Sequence, residues 1–457
     1  MMDTSTAAAA VHGRALGPIA AFARVTTDTR TVAAGDLFVA LKGERFDGHD
    51  FVADALAHGA VAALVSDARA DAWSAPLIAV PDTLQALGEL AAHWRRRFAL
   101  PLCAVTGSNG KTTTKEMLAA ILRAAADPAQ VLATAGNLNN AIGVPLTLLG
   151  LRAQHRYAVV ELGMNHRGET RELAQMSAPT IALITNAQRE HQEFMRSVDE
   201  VADEHADAIA ALPQGGTAVL NADDAYARVW RAAAQAAGAG VVSFGLVPAA
   251  DVTAQWTAQA HASDLVLRTP RGEGRVTLQV PGRHMVMNAL AAAAAAHAAG
   301  LPVTAITLGL ERFRPVRGRL VTLPARSGAT VIDDTYNANP DSVRAAIDVL
   351  AARAAPRWLV LGDMGEVGQD GPQFHREIGA HARTSGIARL FAAGELAREA
   401  VSAFGEGGEH FASVEALAAR VAGESRAGVT MLVKGSRFMR MERVVTALTG
   451  AAAGTER

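Results

Sequence analysis

The segment from Ala104 to Leu118, AVTGSNGKTTTKEML, constrains this chain more tightly than any other. A short apolar run from Pro101 to Val105 leads into Thr106-Gly107-Ser108-Asn109-Gly110-Lys111-Thr112-Thr113, and a helical pattern starts at once. Strand, glycine loop and helix in that order turn backbone N–H groups inward around an anion at the positive end of the helix. Lys111 would bring a point charge to the outer phosphates of a nucleotide, and the Thr112 hydroxyl would ligate Mg²⁺. Val105 stands where the usual spacing has its first glycine, so the motif is the variant T-G-x-x-G-K-T. The bland alternative, a glycine turn ahead of a helix, does not account for Lys-Thr in register.

At 457 residues the chain is long enough for about three domains. Only 5% of residues are aromatic although half are hydrophobic, so the cores must rest on aliphatic side chains. Lys+Arg number 43 against 45 Asp+Glu, which gives no whole-chain attraction to nucleic acid or an anionic membrane. The run Arg95-Arg96-Arg97 is expected to be a solvated helix end. A single cysteine, Cys103, excludes an internal disulfide and a thiolate zinc cage, and a buried strand position is expected for it. The start carries Asp3 and no basic run, and the Ala-rich stretch Ala289 to Ala299 is too short to span a bilayer. A cytoplasmic protein with no membrane insertion and no nucleic-acid partner is the expectation, and a monomer.

Three units follow from the pattern. Residues 1–100 hold a strand at Leu37 to Leu41, a helix at Phe51 to His58 and strands at Ala62 to Val65 and Leu77 to Val80, a small α/β unit. Residues 101–313 alternate strands with helices, which argues a mostly parallel sheet. The clearest strands there are Ala104 to Thr106, Tyr157 to Glu161, Ile181 to Thr185 and Thr217 to Leu220. An antiparallel patch near Asp264 to Val280 and two helices, from PGRHMVMNAL and Val303 to Leu310, complete it. In residues 314–457 the alternation restarts with strands near Thr330, Trp358, Leu390 and Thr430, without a G-x-G-x-x-G fingerprint.

Polar residues fall where an open parallel sheet holds its ligands, at the carboxyl ends of strands. Glu161 ends YAVVELG and would hold Mg²⁺ directly or through water. Asn186 ends a strand in TNAQREH, with His191 in the loop after it. Alone, each is more often structural; in one sheet with a phosphate loop, the functional reading wins. The cluster Asn137, Asn139, Asn140 offers uncharged donors and acceptors for a polar substrate, although asparagines at a turn or helix cap would look the same. DDTYNANPDS, LGDMGE and VKGSRFMRME in the last unit place Asp334, Lys434 and Arg437 to meet ribose, metal-bound water or an anion, or to form loop ion pairs.

These motifs together resemble the Mur ligase family over nearly the whole chain. DTR with GDLFVALKGERFDGHDF, TGSNGKTTTKEM, GNLNNAIGVPLTLL, VVELGMNHRGE, NALAA, FRPVRGRL, DDTYNANPDS, LGDMGEVG and VKGSRFMRME occur in the family's order. The resemblance implies an α/β, three-domain architecture. A small N-terminal domain would hold a UDP-linked substrate, a central parallel-sheet ATPase domain would carry the phosphate loop, and the C-terminal domain would be Rossmann-like. It further implies ATP- and Mg²⁺-dependent, ADP-forming amide synthesis in peptidoglycan precursor assembly, with D-alanyl-D-alanine joined to a UDP-N-acetylmuramoyl-tripeptide through an acyl phosphate. By resemblance Lys111, Glu161 and His191 are catalytic, and Thr112, Glu161 and His191 surround the metal. Thr106, Gly107, Ser108, Asn109, Gly110, Lys111, Thr112, Thr113, Asn288, Arg319 and Asp334 would hold ATP. Asp28, Thr29, Arg30, Gly43, Asp47, Gly48 and His49 would hold the uridine nucleotide, and Asn137, Asn139 and Asn140 the peptide.

Two departures stand out. Met285 follows His284 where relatives often have Asn. Where relatives commonly carry a carbamylated lysine, the register falls on His205, so water or Glu204 is expected to complete a second Mg²⁺ shell. Two other readings remain open at this point: a folylpolyglutamate synthase-like amide ligase, and a nucleotide-binding relative that does not ligate. The first would lack the N-terminal module, and the second sits poorly with retention of Lys111, Thr112, Glu161 and His191.

Overall fold

The strand that feeds the glycine loop, Leu102–Thr106, lies inside a six-stranded, all-parallel sheet. Its neighbours are Tyr157–Glu161 on one side and Ile181–Ile184 on the other. The chain therefore leaves this strand in both directions, and such a switch opens a crevice beyond the carboxyl ends. The register sets Glu161 beside Val105 and Ile184 beside Thr106, so three strand ends meet at the loop. Helices cover both faces, which is why these strands read as continuous apolar runs rather than alternating ones.

The computed structural model describes residues 1–450; residues 451–457 of the expected third unit lie outside the described residues. On one face of the central sheet, Lys111–Ala125, Arg283–Ala298 and Val303–Arg312 pack together. Ala289 and Ala291 through Ala296 are fully buried there. Their small side chains let the helix lie close to its neighbours and lose no rotamer entropy on burial. Thr83–Arg95, Glu169–Ser177 and Val198–Ala210 cover the other face. The antiparallel patch is a three-stranded sheet of Thr253–Ala258, Ser263–Thr269 and Gly272–Leu278.

Ahead of this lies a five-stranded sheet in which Leu77–Val80, Ala62–Ser66, Asp36–Val39 and Arg24–Thr26 run parallel and Arg14–Leu16 runs antiparallel at the edge. After it comes a six-stranded sheet ordered Val321–Pro324, Thr330–Asp334, Thr430–Lys434, Arg357–Gly362, Arg389–Ala393 and Gly408–Phe411, parallel except for its first pair. Strands that the sequence pattern did not single out, such as Val131–Ala133, Gly240–Phe244 and Gly408–Phe411, lie at sheet edges, where half-buried residues weaken the apolar signal. Among the described residues no helix is long and apolar enough to cross a membrane. Cys103 is buried in the strand before the loop, and burial pushes its thiol pKa up.

One expectation fails in part: Arg96 and Arg97 are exposed, but Arg95 is not. Arg95 is not a solvated helix end: it is buried, and its guanidinium donates from Nε to Ser177 O at 2.9 Å, from Nη2 to Ala178 O at 3.0 Å and from Nη1 to Phe98 O at 2.5 Å. The Ser177 and Ala178 carbonyls close the Glu169–Ser177 helix, whose last C=O groups have no intrahelical donor, so the cation satisfies them, while Phe98 O lies just beyond Arg95's own helix. Trp94 beside it donates to Leu151 O at 3.0 Å, and the two side chains tie the first unit to the central sheet. Arg95→Ala is expected to cost about 3 kcal/mol in urea unfolding, because it strands buried carbonyls. A loss below about 0.5 kcal/mol, the range of ordinary surface changes, would contradict this role.

Candidate active site

The glycine loop is held from outside by the segment Thr185 to His191. Asn186 Oδ1 accepts from Asn109 N at 2.9 Å, its Nδ2 donates to Asn109 O at 3.0 Å, and its own carbonyl accepts from Ser108 N at 3.0 Å. Thr185 Oγ1 also donates to Asn109 O at 2.8 Å. Both loop glycines are forced. Gly107 has φ +126°, and a Cβ there would lie 2.0 Å from Thr185 Oγ1. Gly110 has φ +83°, and a Cβ would lie 2.2 Å from Asn288 Oδ1. With the Ser108 and Asn109 N–H groups engaged by Asn186, the free donors for a phosphate are those of the first turn, from Gly110 to Thr113.

Lys111 curls back over the loop. Its Nζ donates to Gly107 O at 2.5 Å and Ser108 O at 3.2 Å, and lies 3.2 Å from Glu190 Oε2. Glu190 is buried, and its other oxygen lies 3.0 Å from His205 Nε2. Burial alone would raise this carboxyl, but Lys111, then the hydrogen bond and charge of His205, then His191, outweigh it and hold it near a pKa of about 2. On the neighbouring strand end, Glu161 Oε1 accepts from Thr112 Oγ1 at 3.1 Å and Asn139 Nδ2 at 2.9 Å. Glu161 Oε2 is buried with no hydrogen-bond partner.

The last unit closes over this edge. Arg189 pairs with Asp341 at 2.7 Å and Glu377 at 2.8 Å, and its guanidinium stacks over Phe374 at 5.0 Å. Asn109 and Asn339 exchange amide hydrogen bonds at 2.9 and 3.3 Å. Asn339 also caps the Pro340–Ala351 helix through Ser342 N, so the phosphate loop touches a helix start. Arg319 Nη2 donates to Thr112 Oγ1 at 2.9 Å while stacking on Tyr336 at 4.0 Å. His191 Nδ1 lies 2.5 Å from Glu366 Oε2, which holds the Glu366 carboxyl below its ordinary pKa.

Together these elements enclose a cleft of about 760 Å³. Ser108 through Thr113, Asn139, Asn140, Glu161, His191, Asn288, Arg319 and Asp334 all line it. Phe244, Trp256, Met285 and Val349 give it an apolar wall, and His284 nearby is pushed down to about 4, chiefly by burial. Asp334 is paired with Lys434 Nζ at 2.6 Å across adjacent strands.

Other expected site residues lie outside the cleft or spend their side chains on local contacts. Thr106 faces away, its hydroxyl 3.0 Å from His205 Nδ1. Gly107 does not line the cleft; it supplies the turn and the carbonyl that accepts from Lys111 Nζ. Asn137 is exposed outside the cleft, and the Asn140 side chain caps the Gly143–Leu149 helix through Ile142 and Gly143 N, the capping role that asparagine favours. Asp28, Thr29, Arg30, Gly43, Asp47, Gly48 and His49 form a separate surface on the first unit, none of them lining the cleft. Arg30 reaches into solvent while bonding Asp28, whose pKa its guanidinium lowers. His49 cannot take a ligand through its ring nitrogens: Nε2 accepts from Ser66 N at 2.9 Å, which leaves Nδ1 to donate to Asp47 Oδ1 at 2.6 Å. Glu204 is likewise excluded as a metal ligand, because its two oxygens accept from Gly168 N and Thr170 N at 2.8 Å each. It caps the start of the Glu169–Ser177 helix, on a different side of its own helix from His205.

Arg189 and Glu190 carry much of this geometry and were missed in the sequence. Their signal lay inside TNAQREH, between Asn186 and His191. A parallel sheet with a phosphate loop at its switch point, closed by a second α/β unit, is the architecture of an ATP-dependent amide ligase. The Mur ligase family models match residues 21–95 (catalytic domain), 105–296 (middle domain) and 318–437 (glutamate ligase domain). This chain belongs to the Mur ligase family. It is 42% identical over 437 residues to the UDP-N-acetylmuramoyl-tripeptide–D-alanyl-D-alanine ligase of Escherichia coli K12, covering 93% of each chain. Among solved structures it resembles a crystal structure of MurF from Acinetobacter baumannii, with TM-score 0.89, 34% identity and coverage of 97% of this chain and 98% of that one. MurF from Thermotoga maritima, solved with ADP, matches with TM-score 0.80 and 26% identity over 93% of this chain and 96% of that one.

Arg189→Ala is expected to loosen the closure, because it removes two partly buried ion pairs at once. Small-angle scattering of the free protein should show a larger radius of gyration, and the variant should still melt cooperatively. An unchanged scattering curve would mean that the other contacts hold the last unit without it.

Proposed function

We infer that this chain is an ATP-dependent, ADP-forming ligase that joins D-alanyl-D-alanine to the carboxyl end of a UDP-N-acetylmuramoyl-tripeptide in peptidoglycan synthesis. The observation that carries the reading is the single cleft shared by the phosphate loop, the strand end at Glu161 and the Asp334–Ser342 segment of the last unit. A nucleotide laid across the first turn of Lys111–Ala125 would meet four N–H groups without intrahelical acceptors. Its base would lie against Asn288 and the apolar wall of Phe244 and Met285. Lys111 would leave the loop carbonyls for the outer phosphates, and Arg319 stands over Thr112 to add a second cation.

The residues fit Mg²⁺. A buried, unpartnered Glu161 Oε2 beside a threonine hydroxyl is a hard-oxygen donor pair. Thr112 and Glu161 would hold the ion, which when bound neutralises charge gathering on the transferred phosphoryl group. The tripeptide carboxylate attacks the γ-phosphorus and ADP leaves, forming an acyl phosphate. The dipeptide amine then attacks the acyl carbon, and phosphate departs as the amide forms. Closure by Arg189 and the Asn109–Asn339 pair keeps water from the acyl phosphate. The surface around Asp28 and Arg30 is the proposed uridine-nucleotide site, with Arg30 freed from Asp28 to meet the diphosphate. The family match over residues 21–95 favours this reading over a folylpolyglutamate synthase.

Lys111→Ala is expected to lower turnover at least about 10³-fold, the scale of losing a principal electrostatic stabiliser, while uridine-nucleotide binding stays near wild type. Turnover within tenfold of wild type would overturn the loop assignment. Arg30→Ala is expected to raise the KM for the UDP-linked substrate at least about tenfold, the scale of losing a charged hydrogen bond, and to leave the KM for ATP nearly unchanged. A rise confined to ATP would mean that the first unit is not the uridine site.

A further inference from the structure

Lys115 is a buried charge that the reaction as described does not use. It lies one turn below the phosphate loop in Lys111–Ala125, on the helix face shared by Lys111 and Thr112, its i−4 and i−3 neighbours. Its side chain is fully buried, and its ammonium donates to Thr134 O at 2.7 Å and pairs with Glu116. A methionine would fill that space without the cost of desolvating a charge. What the ammonium adds is a donor fixed on the Thr134 carbonyl.

Thr134 is buried where the edge strand Val131–Ala133 gives out. The ladder with the Tyr157–Glu161 strand ends as Thr134 N donates to Val159 O at 3.0 Å. Glu161 N, the next donor on that edge, goes to Thr134 Oγ1 at 2.9 Å. The chain then leaves the sheet, and Asn139 returns to hold the Glu161 side chain, Nδ2 to Oε1 at 2.9 Å, while its carbonyl accepts from Gly163 N at 2.8 Å. One segment thus clasps Glu161 by its backbone and by its carboxylate. A three-residue edge strand has few ladder bonds to hold the start of that segment, and Lys115 fastens it to the helix that bears Thr112.

The contacts close a ring: helix, Lys115, Thr134, Glu161, and back to the helix from Glu161 Oε1 to Thr112 Oγ1 at 3.1 Å. Mg²⁺ demands a near-ideal octahedral shell, so a ligand pair that drifts binds it poorly. We propose that Lys115 is a positioning residue that acts through Thr134 to fix the Glu161 carboxylate at the reach from Thr112 that Mg²⁺ needs, a role that rests on the reading of that pair as the Mg²⁺-nucleotide site. Groups that orient a metal's ligands without touching the metal govern roughly 10- to 100-fold in affinity.

Mn²⁺ is the probe, its binding to the ADP complex of the full chain read by electron paramagnetic resonance. Lys115→Met and Thr134→Val are each expected to weaken Mn²⁺ about tenfold or more, with ADP affinity in the absence of a divalent ion within about twofold of wild type. Because both act on Glu161 along one path, the double variant is expected to lose less than the product of the two single losses. Lys115→Met with wild-type Mn²⁺ affinity would overturn the proposal, whatever its stability in urea, because a lysine that serves folding alone lowers stability and leaves the metal untouched. Losses that multiply in the double variant would overturn it too, as would loss of metal-free ADP binding in a folded Lys115→Met protein, which would show the loop itself displaced. Should Lys115→Met fail to fold, Thr134→Val decides alone, and wild-type Mn²⁺ affinity there would overturn the path through Thr134. Failure of wild type to bind ADP with Mn²⁺ at all would instead overturn the nucleotide reading on which the proposal rests.

Discussion

The Asn186 side chain holds the phosphate loop by both ends of one residue, accepting from Asn109 N and donating to Asn109 O. A loop of this kind must keep its N–H groups turned inward when no anion is there to hold them. Here the cost of that conformation is met by the adjacent strand end, with Thr185 adding a third contact. The same short segment then runs on through Arg189 to the last unit and through Glu190, with His191 beside it, to Lys111. Seven consecutive residues, Thr185 to His191, thus set loop shape, closure and local charge together.

Closure follows from pairing rather than from apolar contact alone. Arg189 bridges two carboxylates, one of them in the first turn of a helix whose cap, Asn339, touches the phosphate loop. Ion pairs half open to solvent are individually weak. That suits an interface that must part to admit and release its ligands.

The sheet arrangement was readable because long apolar strands alternate with helices and the loop motif fixes which strand sits at the switch. Glu161 and Asp334 were singled out at strand ends, Asn288 and Arg319 only through the family resemblance, and all four line one cleft. What could not be read was pairing between a side chain and a backbone group elsewhere in the chain. Arg95 looked solvated as part of a run of three arginines, yet three backbone carbonyls from two segments bury it. Glu204 looked like a metal ligand by position, but it caps a helix that lies more than thirty residues earlier. His49 looked like a substrate contact, but one nitrogen bonds Asp47 in its own loop and the other accepts from Ser66 N at the end of the Ala62–Ser66 strand. In each case the deciding partner was a backbone group, which carries no sequence signature.

The proposed reaction requires that the cleft bring a substrate carboxylate to the γ-phosphate and shield the acyl phosphate from water. It is tested most directly with UDP-N-acetylmuramoyl-tripeptide whose terminal carboxylate carries ¹⁸O, incubated with ATP, Mg²⁺ and D-alanyl-D-alanine. A pentapeptide product and inorganic phosphate bearing one ¹⁸O for each amide formed are expected. Unlabelled phosphate, or ATP consumed without amide, would contradict it.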